Sequence, residues 1–206
     1  MIDRKDVNLM TSKKTLVTIW ASIVGIVLIC LISVSGWWIS TSNKLNNQEQ
    51  DCEQQWSQVE NVMQRRYDLI PNLTASVKGS MHQEQKVFGE IAKARSAYSS
   101  AKTPVDKMKA DTQLNQKTGM LINVIHEKYP QLESNQNVRD LMTQLEGSEN
   151  RISTERQNYI ATVRTYNQTV LNFPSSMVAN AKGDRPIHYF KADSQAQSAP
   201  KVNLDN

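Results

Sequence analysis

The hydrophobic pattern divides the chain into an uncharged apolar run and a longer region of helical periodicity. Residues 16–39 carry no charge. As a helix they would be about 36 Å long, which is enough for a hydrocarbon core of about 30 Å. Trp20 lies near one end of the run and Trp37 and Trp38 near the other, as expected for indole rings at the two membrane interfaces. The pattern predicts one transmembrane helix that contacts the lipid bilayer through residues 16–39.

The basic residues around this run predict its orientation. Four of them precede it: Arg4, Lys5, Lys13 and Lys14. Lys44 is the first basic residue after it, so the positive-inside rule leaves residues 1–15 in the cytoplasm and sends the following domain across the membrane. An uncleaved signal anchor is therefore expected. A cleaved signal peptide stays open as the alternative, because residues 33–35 form a small-x-small triplet.

Four helical patterns follow the apolar run, each with apolar residues three and four positions apart. The first has Leu45, Cys52, Trp56, Val59, Met63, Ile70, Leu73 and Val77. The second has Val87, Phe88, Ile91, Ala94 and Tyr98, and the third Leu114, Leu121, Ile122 and Ile125. The fourth has Val138, Leu141, Leu145, Ile152, Tyr159, Val163, Tyr166, Val170 and Phe173. Short connectors between them predict an all-α, antiparallel, up-and-down four-helix bundle with long, coiled-coil-like helices over residues 40–174.

The predicted helix boundaries rest on turn and capping residues. Gly79 is expected as a left-handed C-cap, followed by a capping box from Ser80 to Gln83. Thr103-Pro104 predicts an N-cap followed by proline at the first helical position. Proline also ends the third helix at Tyr129-Pro130. Residues 175–206, rich in Ser, Ala, Gln and Asn, are expected to form an extended or partly disordered tail.

A nine-residue block, RRYDLIPNL at residues 65–73, interrupts the first helical pattern with charges and a proline. The apolar register continues through Pro71, which favours a kinked helix over a broken one. Arg66 falls on the apolar seam, and Glu149 and Arg156 fill seam positions of the fourth pattern. Charges on a seam are expensive unless they are paired.

Aligning the midpoints of the first and fourth helices brings Arg66 opposite residue 148. We therefore predict an ion pair from Arg65 or Arg66 to Glu149, with Asp68 and Arg156 in the same polar layer, which would fix the register of the helices. A functional surface remains the alternative. The residues assigned to either role are Arg65, Arg66, Tyr67, Asp68, Pro71, Asn72, Glu149 and Arg156.

Several sequence features occur in an order and spacing that resemble a known family. They are Trp56, the 65–73 block, Val77-Lys78-Gly79, Ala94-Arg95, residues 127–132, residues 145–152, Tyr166-Asn167 and Phe173-Pro174-Ser175. Together they resemble the LemA family of bacterial membrane-anchored proteins over residues 43–179. The resemblance implies one N-terminal membrane helix and an antiparallel four-helix bundle. With the orientation predicted from the basic residues, the protein is expected to be a single-pass protein of the bacterial inner membrane whose bundle lies on the periplasmic or extracellular side. It implies no enzymatic activity.

Candidate chemistry is sparse. The net charge of +4 is not gathered into a basic stripe, which argues against nucleic-acid binding. His82, His126 and His188 lack the spacing of a zinc site. Cys30 and Cys52 lie too far apart along the helix to pair, so Cys52 is expected to be a buried thiol or to form an intermolecular disulfide. No catalytic, cofactor-binding, metal-binding or small-molecule site is predicted.

These observations favour a non-enzymatic, membrane-tethered module that binds another envelope protein or its own copies. The alternative is an envelope hydrolase that uses the carboxylates of Asp68 and Glu149, because paired carboxylates can act as acid and nucleophile or base. That alternative requires a solvent-filled cleft between the two side chains.

Overall fold

The computed structural model describes residues 4–188, and all the regular structure in this range is helical. The α-helices are α1 (Arg4–Lys78), α2 (Gln85–Ser100), α3 (Pro104–Lys128), α4 (Gln136–Leu171) and α5 (Ser175–Lys182), with a 3₁₀ turn at Pro130–Ser134. The described residues contain no strand. The prediction of an all-helical chain with a long apolar N-terminal helix is confirmed.

Helix α1 joins the apolar run and the first periodic pattern into one helix and continues through Pro71 without a break. Its side chains from Trp20 to Ile39 are almost all exposed, including Trp37 and Trp38. By length and composition, the portion Trp20–Lys78 is the one helix in the described part of the chain that can cross a membrane. Among the side chains of α1 whose burial the structure describes, the first buried one is Thr41, two residues after the apolar run.

The described chain forms two compact units. One contains Gln48–Gln168, and most of the predicted seam residues of α1 to α4 form its core, although Trp56 and Val87 are only half-buried. The expectation for Phe173 is wrong: α4 ends at Leu171, and Phe173, which follows it, is 80% exposed. The other contains the residues up to Asn47 and Thr169–Arg185. In this second unit Leu45, Val178 and Ala179 are fully buried, and the Lys182 ammonium donates to Asn46 Oδ1 at 2.7 Å.

The predicted helix boundaries at Lys78, Thr103 and Tyr129 are confirmed, but the caps expected at Gly79 and Ser80 are wrong. Thr103 caps α3 by accepting a hydrogen bond from the Asp106 N–H at 3.1 Å, and α3 ends before Tyr129. Gly79 is not left-handed, and the expected capping box from Ser80 to Gln83 is absent because α2 begins only at Gln85. The cause is Met81, whose side chain is fully buried in the turn between α1 and α2. Burying an apolar side chain outweighs a single capping bond.

The extended tail expected from residue 175 begins instead with α5. Its helix is explained by Val178 and Ala179, which are buried, and by Gly183, whose φ of 84° makes the left-handed C-cap. The remainder of that prediction, over residues 189–206, lies outside the described residues.

Candidate functional site

Four charged side chains from three helices meet inside the larger unit. Arg66 of α1 donates to Asp111 of α3, and its Nη1 lies 2.5 Å from Oε2 of Glu149 on α4. Arg156 Nη2, also on α4, lies 2.7 Å from Asp111 Oδ2. Arg66 is 1% exposed and Asp111 0%, whereas the Glu149 side chain is 47% exposed. The cluster is therefore buried at its centre and reaches solvent through Glu149.

These charged residues lie close together because they occupy core-facing seam positions of their helices. Arg66 lies between the fully buried Met63 and Ile70 on the core-facing side of α1. Arg156 is anchored further by the Met108 carbonyl, which accepts from Nη2 at 3.2 Å. Because each cation is held by more than one acceptor, the cluster can fix the positions of α1, α3 and α4 relative to one another.

Burial dominates the electrostatics of the cluster. It raises the pKa of the Asp111 carboxyl, while the neighbouring charges of Arg66 and Arg156 act in the opposite direction. Burial likewise lowers the pKa of Arg156, and Asp111 opposes that shift. Two cations and two anions balance, so the cluster adds no net charge to the core.

Some polar atoms of this layer have no hydrogen-bond partner among the described residues. They are Asp111 Oδ1, Arg66 Nε and Tyr98 Oη. Burial raises the pKa of the Tyr98 hydroxyl, and the nearby Asp111 carboxylate adds to the shift. Incompletely satisfied polar layers stabilise a fold less than apolar cores do, but they restrict which arrangements of the helices are acceptable.

The ion pair expected between Arg65 or Arg66 and Glu149 is formed by Arg66, and Arg156 belongs to the same layer as expected. The expectation for Asp68 is wrong. Its carboxylate is exposed and accepts a hydrogen bond from Gln64 at 2.9 Å. Two residues rotate a helix by about 200°, so Asp68 lies on the side of α1 opposite Arg66.

The other residues of the block have separate surroundings. Tyr67 stacks on Tyr98 with ring centroids 5.2 Å apart, and the Arg95 guanidinium lies 4.4 Å from the Tyr67 ring. Pro71 is half-buried within α1. Asn72 is exposed, and its carbonyl accepts a hydrogen bond from the Ser76 hydroxyl. These contacts are local, and they do not gather the block into one site.

Asp111 is the member of the cluster that the sequence analysis missed. It lies three residues after Met108 and three before Leu114, both fully buried, so it shares their face of α3. This spacing is a usable signal. The seam of α3 is hard to recognise from the sequence, because its first half has few apolar residues and one of its seam positions is occupied by Asp111.

A groove of about 410 Å³ lies beside the cluster, between α1 and α4. Val62, Leu69 and Gly147 contribute to its mainly apolar lining, and Arg65 and Arg151 lie on it as well. Both arginines are exposed, and neither forms an ion pair with another described residue. The groove therefore combines apolar surface with two available guanidinium groups.

The fold and this site define a class: an all-helical protein with one long N-terminal helix that contains an apolar run, and with a buried cluster of charges that joins this helix to α3 and α4. The family model described as the LemA family matches residues 55–204. The chain belongs to the LemA family.

Three curated relatives match a shorter part of the chain. Magnetosome proteins MamQ 1 and MamQ 2 of Paramagnetospirillum magneticum are 33% identical to it over 82 residues, which is 40% of this chain and 30% of each relative. Magnetosome protein MamQ of Magnetospirillum gryphiswaldense is 30% identical over 81 residues, 39% of this chain and 29% of the relative. The matched stretch thus spans under a third of the length of these relatives.

Proposed function

We propose that this protein is a non-enzymatic, membrane-anchored helical module of the bacterial cell envelope that binds an acidic segment of another envelope protein. The observation that carries the proposal is the groove between α1 and α4, where Arg65 and Arg151 border an apolar lining without ion-pair partners of their own. Membership of the LemA family and the apolar helix of α1 are consistent with a membrane-anchored protein.

In our proposal the larger unit is an antiparallel, up-and-down four-helix bundle. Contacts between α1 and α4 support this direction: Trp56 contacts Tyr159 with ring centroids 5.5 Å apart, and Arg66 pairs with Glu149. Further along α1, the Ser76 hydroxyl accepts a hydrogen bond from Asn137. Residue numbers on α4 fall as those on α1 rise, as antiparallel packing requires.

The anchor is the apolar portion of α1, with the N-terminus in the cytoplasm and the bundle on the outer side of the inner membrane. The basic residues before the apolar run support this orientation. The exposed apolar side chains between Trp20 and Ile39 support the location in a bilayer, since a surface of this extent is costly in water.

The carboxylates of the alternative function, an envelope hydrolase, are engaged in structural contacts. Glu149 is held by Arg66, and Asp68 accepts its hydrogen bond from Gln64 on the opposite side of α1. A hydrolytic pair needs both carboxyls to face one bound substrate. The geometry thus favours the non-enzymatic function.

The residues that line the groove indicate which side chains the partner should carry. Its apolar lining suits an aliphatic or aromatic side chain, and its two guanidinium groups suit carboxylates on either side of that side chain. Guanidinium groups bind carboxylates bidentately, which gives geometric specificity as well as attraction. The expected partner therefore carries an apolar residue flanked by Asp or Glu.

Site-specific photo-crosslinking of the full-length protein in living cells tests this proposal. A benzophenone amino acid at Gln144, on the groove, should give a covalent adduct with one partner, identified by mass spectrometry. The same probe at Gln116, exposed on α3 and outside the groove, is the matched control. Replacing Arg65 and Arg151 with glutamate should abolish the adduct, and replacing both with lysine, which keeps the charge but not the bidentate geometry, should reduce it without abolishing it.

Three results would contradict the proposal. One is recovery of only monomer from the Gln144 probe. Another is an adduct that survives charge reversal at Arg65 and Arg151, since the partner would then not depend on the guanidinium groups. An adduct between two copies of this chain would replace the acidic partner with self-association.

A further inference from the structure

An exposed apolar corner joins the last two helices. Leu171 at the end of α4 is 64% exposed, Phe173 80% and Met177, in the first turns of α5, 57%. All three belong to the smaller unit, together with the part of α1 that ends at Asn47. We call these three exposed apolar side chains, which lie within seven residues of one another, the apolar patch. Burying them against another surface would remove their apolar area from water.

The smaller unit holds this corner next to the end of the apolar run. Helix α5 is fastened to α1 by the hydrogen bond from Lys182 to Asn46. Thr41 and Leu45 of α1 are buried in the same unit, as are Val178 and Ala179 of α5. The corner therefore packs beside a stretch of α1 that starts two residues after Ile39.

The rise of an α-helix gives the depth of the corner relative to the membrane. Thr41 and Asn46 lie about 3 Å and about 10 Å beyond Ile39 along the helix axis. The headgroup layer on each side of a hydrocarbon core is several ångströms thick, and Trp37 and Trp38 suit its inner boundary. A segment that packs beside Thr41 of an inserted α1 therefore lies at headgroup depth, whereas Asn46 lies beyond the outer edge of that layer.

We propose that the α4–α5 corner, residues 171–177, is a second membrane contact that inserts Leu171, Phe173 and Met177 into the interface of the same bilayer that α1 crosses. The occupant of the patch is lipid. The inference rests on the proposed membrane anchor and adds a second attachment, so that the bundle leaves the membrane through two chain segments instead of one.

The chemistry of the corner suits this depth. Aromatic and apolar side chains settle at the boundary between headgroups and acyl chains, where their surface is removed from water. Between the apolar residues lie Asn172, Ser175 and Ser176, which can remain among hydrated headgroups. The Ser175 hydroxyl already donates to backbone carbonyls of the α4 end, so it adds no unpaired donor.

Spin-label accessibility in the full-length protein tests the inference. Single cysteines would replace Phe173, Ile32 or Gln58 in a background in which Cys30 and Cys52 are alanine. Each variant would be labelled with a nitroxide and placed, one copy per disc, in nanodiscs of phosphatidylcholine and phosphatidylglycerol. Collisions with oxygen report lipid, and collisions with a soluble nickel chelate report water. Circular dichroism confirms that each variant is helical.

The labels at Ile32 and Gln58 serve as references for lipid and for water. Ile32 is exposed in the middle of the apolar run and reports insertion of α1. Gln58 is exposed on the same helix, about 28 Å beyond Ile39, and reports water. At residue 173 the ratio of oxygen to nickel accessibility should be several-fold higher than at Gln58 and lower than at Ile32. The same ratio is expected when the label is moved to Leu171.

The controls separate the failure of the inference from that of the anchor. A label at residue 173 as accessible to nickel as the label at Gln58, with Ile32 in lipid, would overturn the second contact and leave the anchor intact. A water-accessible label at Ile32 would overturn the anchor as well. A third result would assign the patch to a second copy of the chain and also overturn the inference. In that case the label at residue 173 would show spin–spin broadening in discs with two copies but not in discs with one, and it would be accessible to nickel in the discs with one copy.

Discussion

Replacing Arg66 with methionine removes the central cation of the buried cluster while keeping most of the side-chain volume. Asp111, which is fully buried, would then keep only Arg156 as a charged partner. Glu149 would also lose its partner, but its side chain is partly exposed and water can replace the lost contact. The penalty of Arg66→Met therefore arises mainly at Asp111.

The expected loss can be estimated from this geometry. Removing one member of a buried ion pair costs about 3–5 kcal/mol when the remaining charge is left without compensation. Because Arg156 still compensates Asp111, we expect the lower end, about 3 kcal/mol. For a chain of this size, such a loss lowers the Tm by about 6–12 °C. Glu149→Gln, which alters only the partly exposed end of the cluster, should cost at most about 1 kcal/mol.

The loss should depend on pH. Burial already raises the pKa of Asp111, and removing the Arg66 charge raises it further. A carboxyl whose pKa is raised in the folded state contributes stability that is fully present below its unfolded pKa and is lost as the pH rises through its folded pKa. The destabilisation by Arg66→Met should thus be smaller at about pH 5 than at about pH 8, where Asp111 in the variant must ionise.

Urea unfolding of the full-length protein in detergent, followed by far-UV circular dichroism at both pH values, measures this difference. In Arg66→Met/Asp111→Asn the titrating carboxyl is gone, so the pH dependence of the loss should disappear. The reasoning fails if Arg66→Met is no more damaging than Glu149→Gln. It also fails if the pH dependence persists in the double variant, since another group would then carry it.

Three further predictions concern contacts away from the cluster. Thr103→Ala removes the cap that accepts from the Asp106 N–H and should destabilise the protein by about 1 kcal/mol in the same unfolding assay. Burial, aided by neighbouring carboxylates, raises the pKa of Cys52 to about 11, so its labelling by maleimide near neutral pH should be slow until urea unfolds the chain. A double-mutant cycle that replaces Trp56 and Tyr159 with leucine should give a coupling energy of about 0.5–1.5 kcal/mol, and no coupling would mean that their ring contact adds nothing specific.

Much of the fold could be predicted because the helical seams are regular. The apolar residues of the fourth pattern are buried almost throughout α4, and Pro71 leaves α1 unbroken because Ile70 and Leu73 on either side are fully buried. Tertiary packing of the seam thus outweighs the hydrogen bond that proline removes. The pair between Arg66 and Glu149 could be predicted for the same reason, since seam charges must find partners.

The parts that could not be predicted depend on single residues whose burial is decided by the tertiary structure. Met81 draws the turn after α1 into the core, and Val178 with Ala179 makes a helix of a segment rich in small polar residues. Asp111 sits among apolar neighbours on α3, where a pattern based on hydrophobicity counts it as a gap. In each case the local sequence is compatible with more than one structure, and packing selects between them.

The block at residues 65–73 contains two neighbouring arginines with separable roles, because consecutive helix positions point about 100° apart. Arg66 faces the core and its charge is fully used within the cluster, whereas Arg65 faces the groove and has no ion pair among the described residues. A loss of function caused by Arg66→Met would therefore follow a loss of stability. A loss of function caused by Arg65→Glu should occur at unchanged Tm. Variants of the two arginines thus distinguish a cluster that fixes the register of the helices from a surface that binds a partner. Glu149→Gln cannot make this distinction, because Glu149 is partly exposed and little stability depends on it.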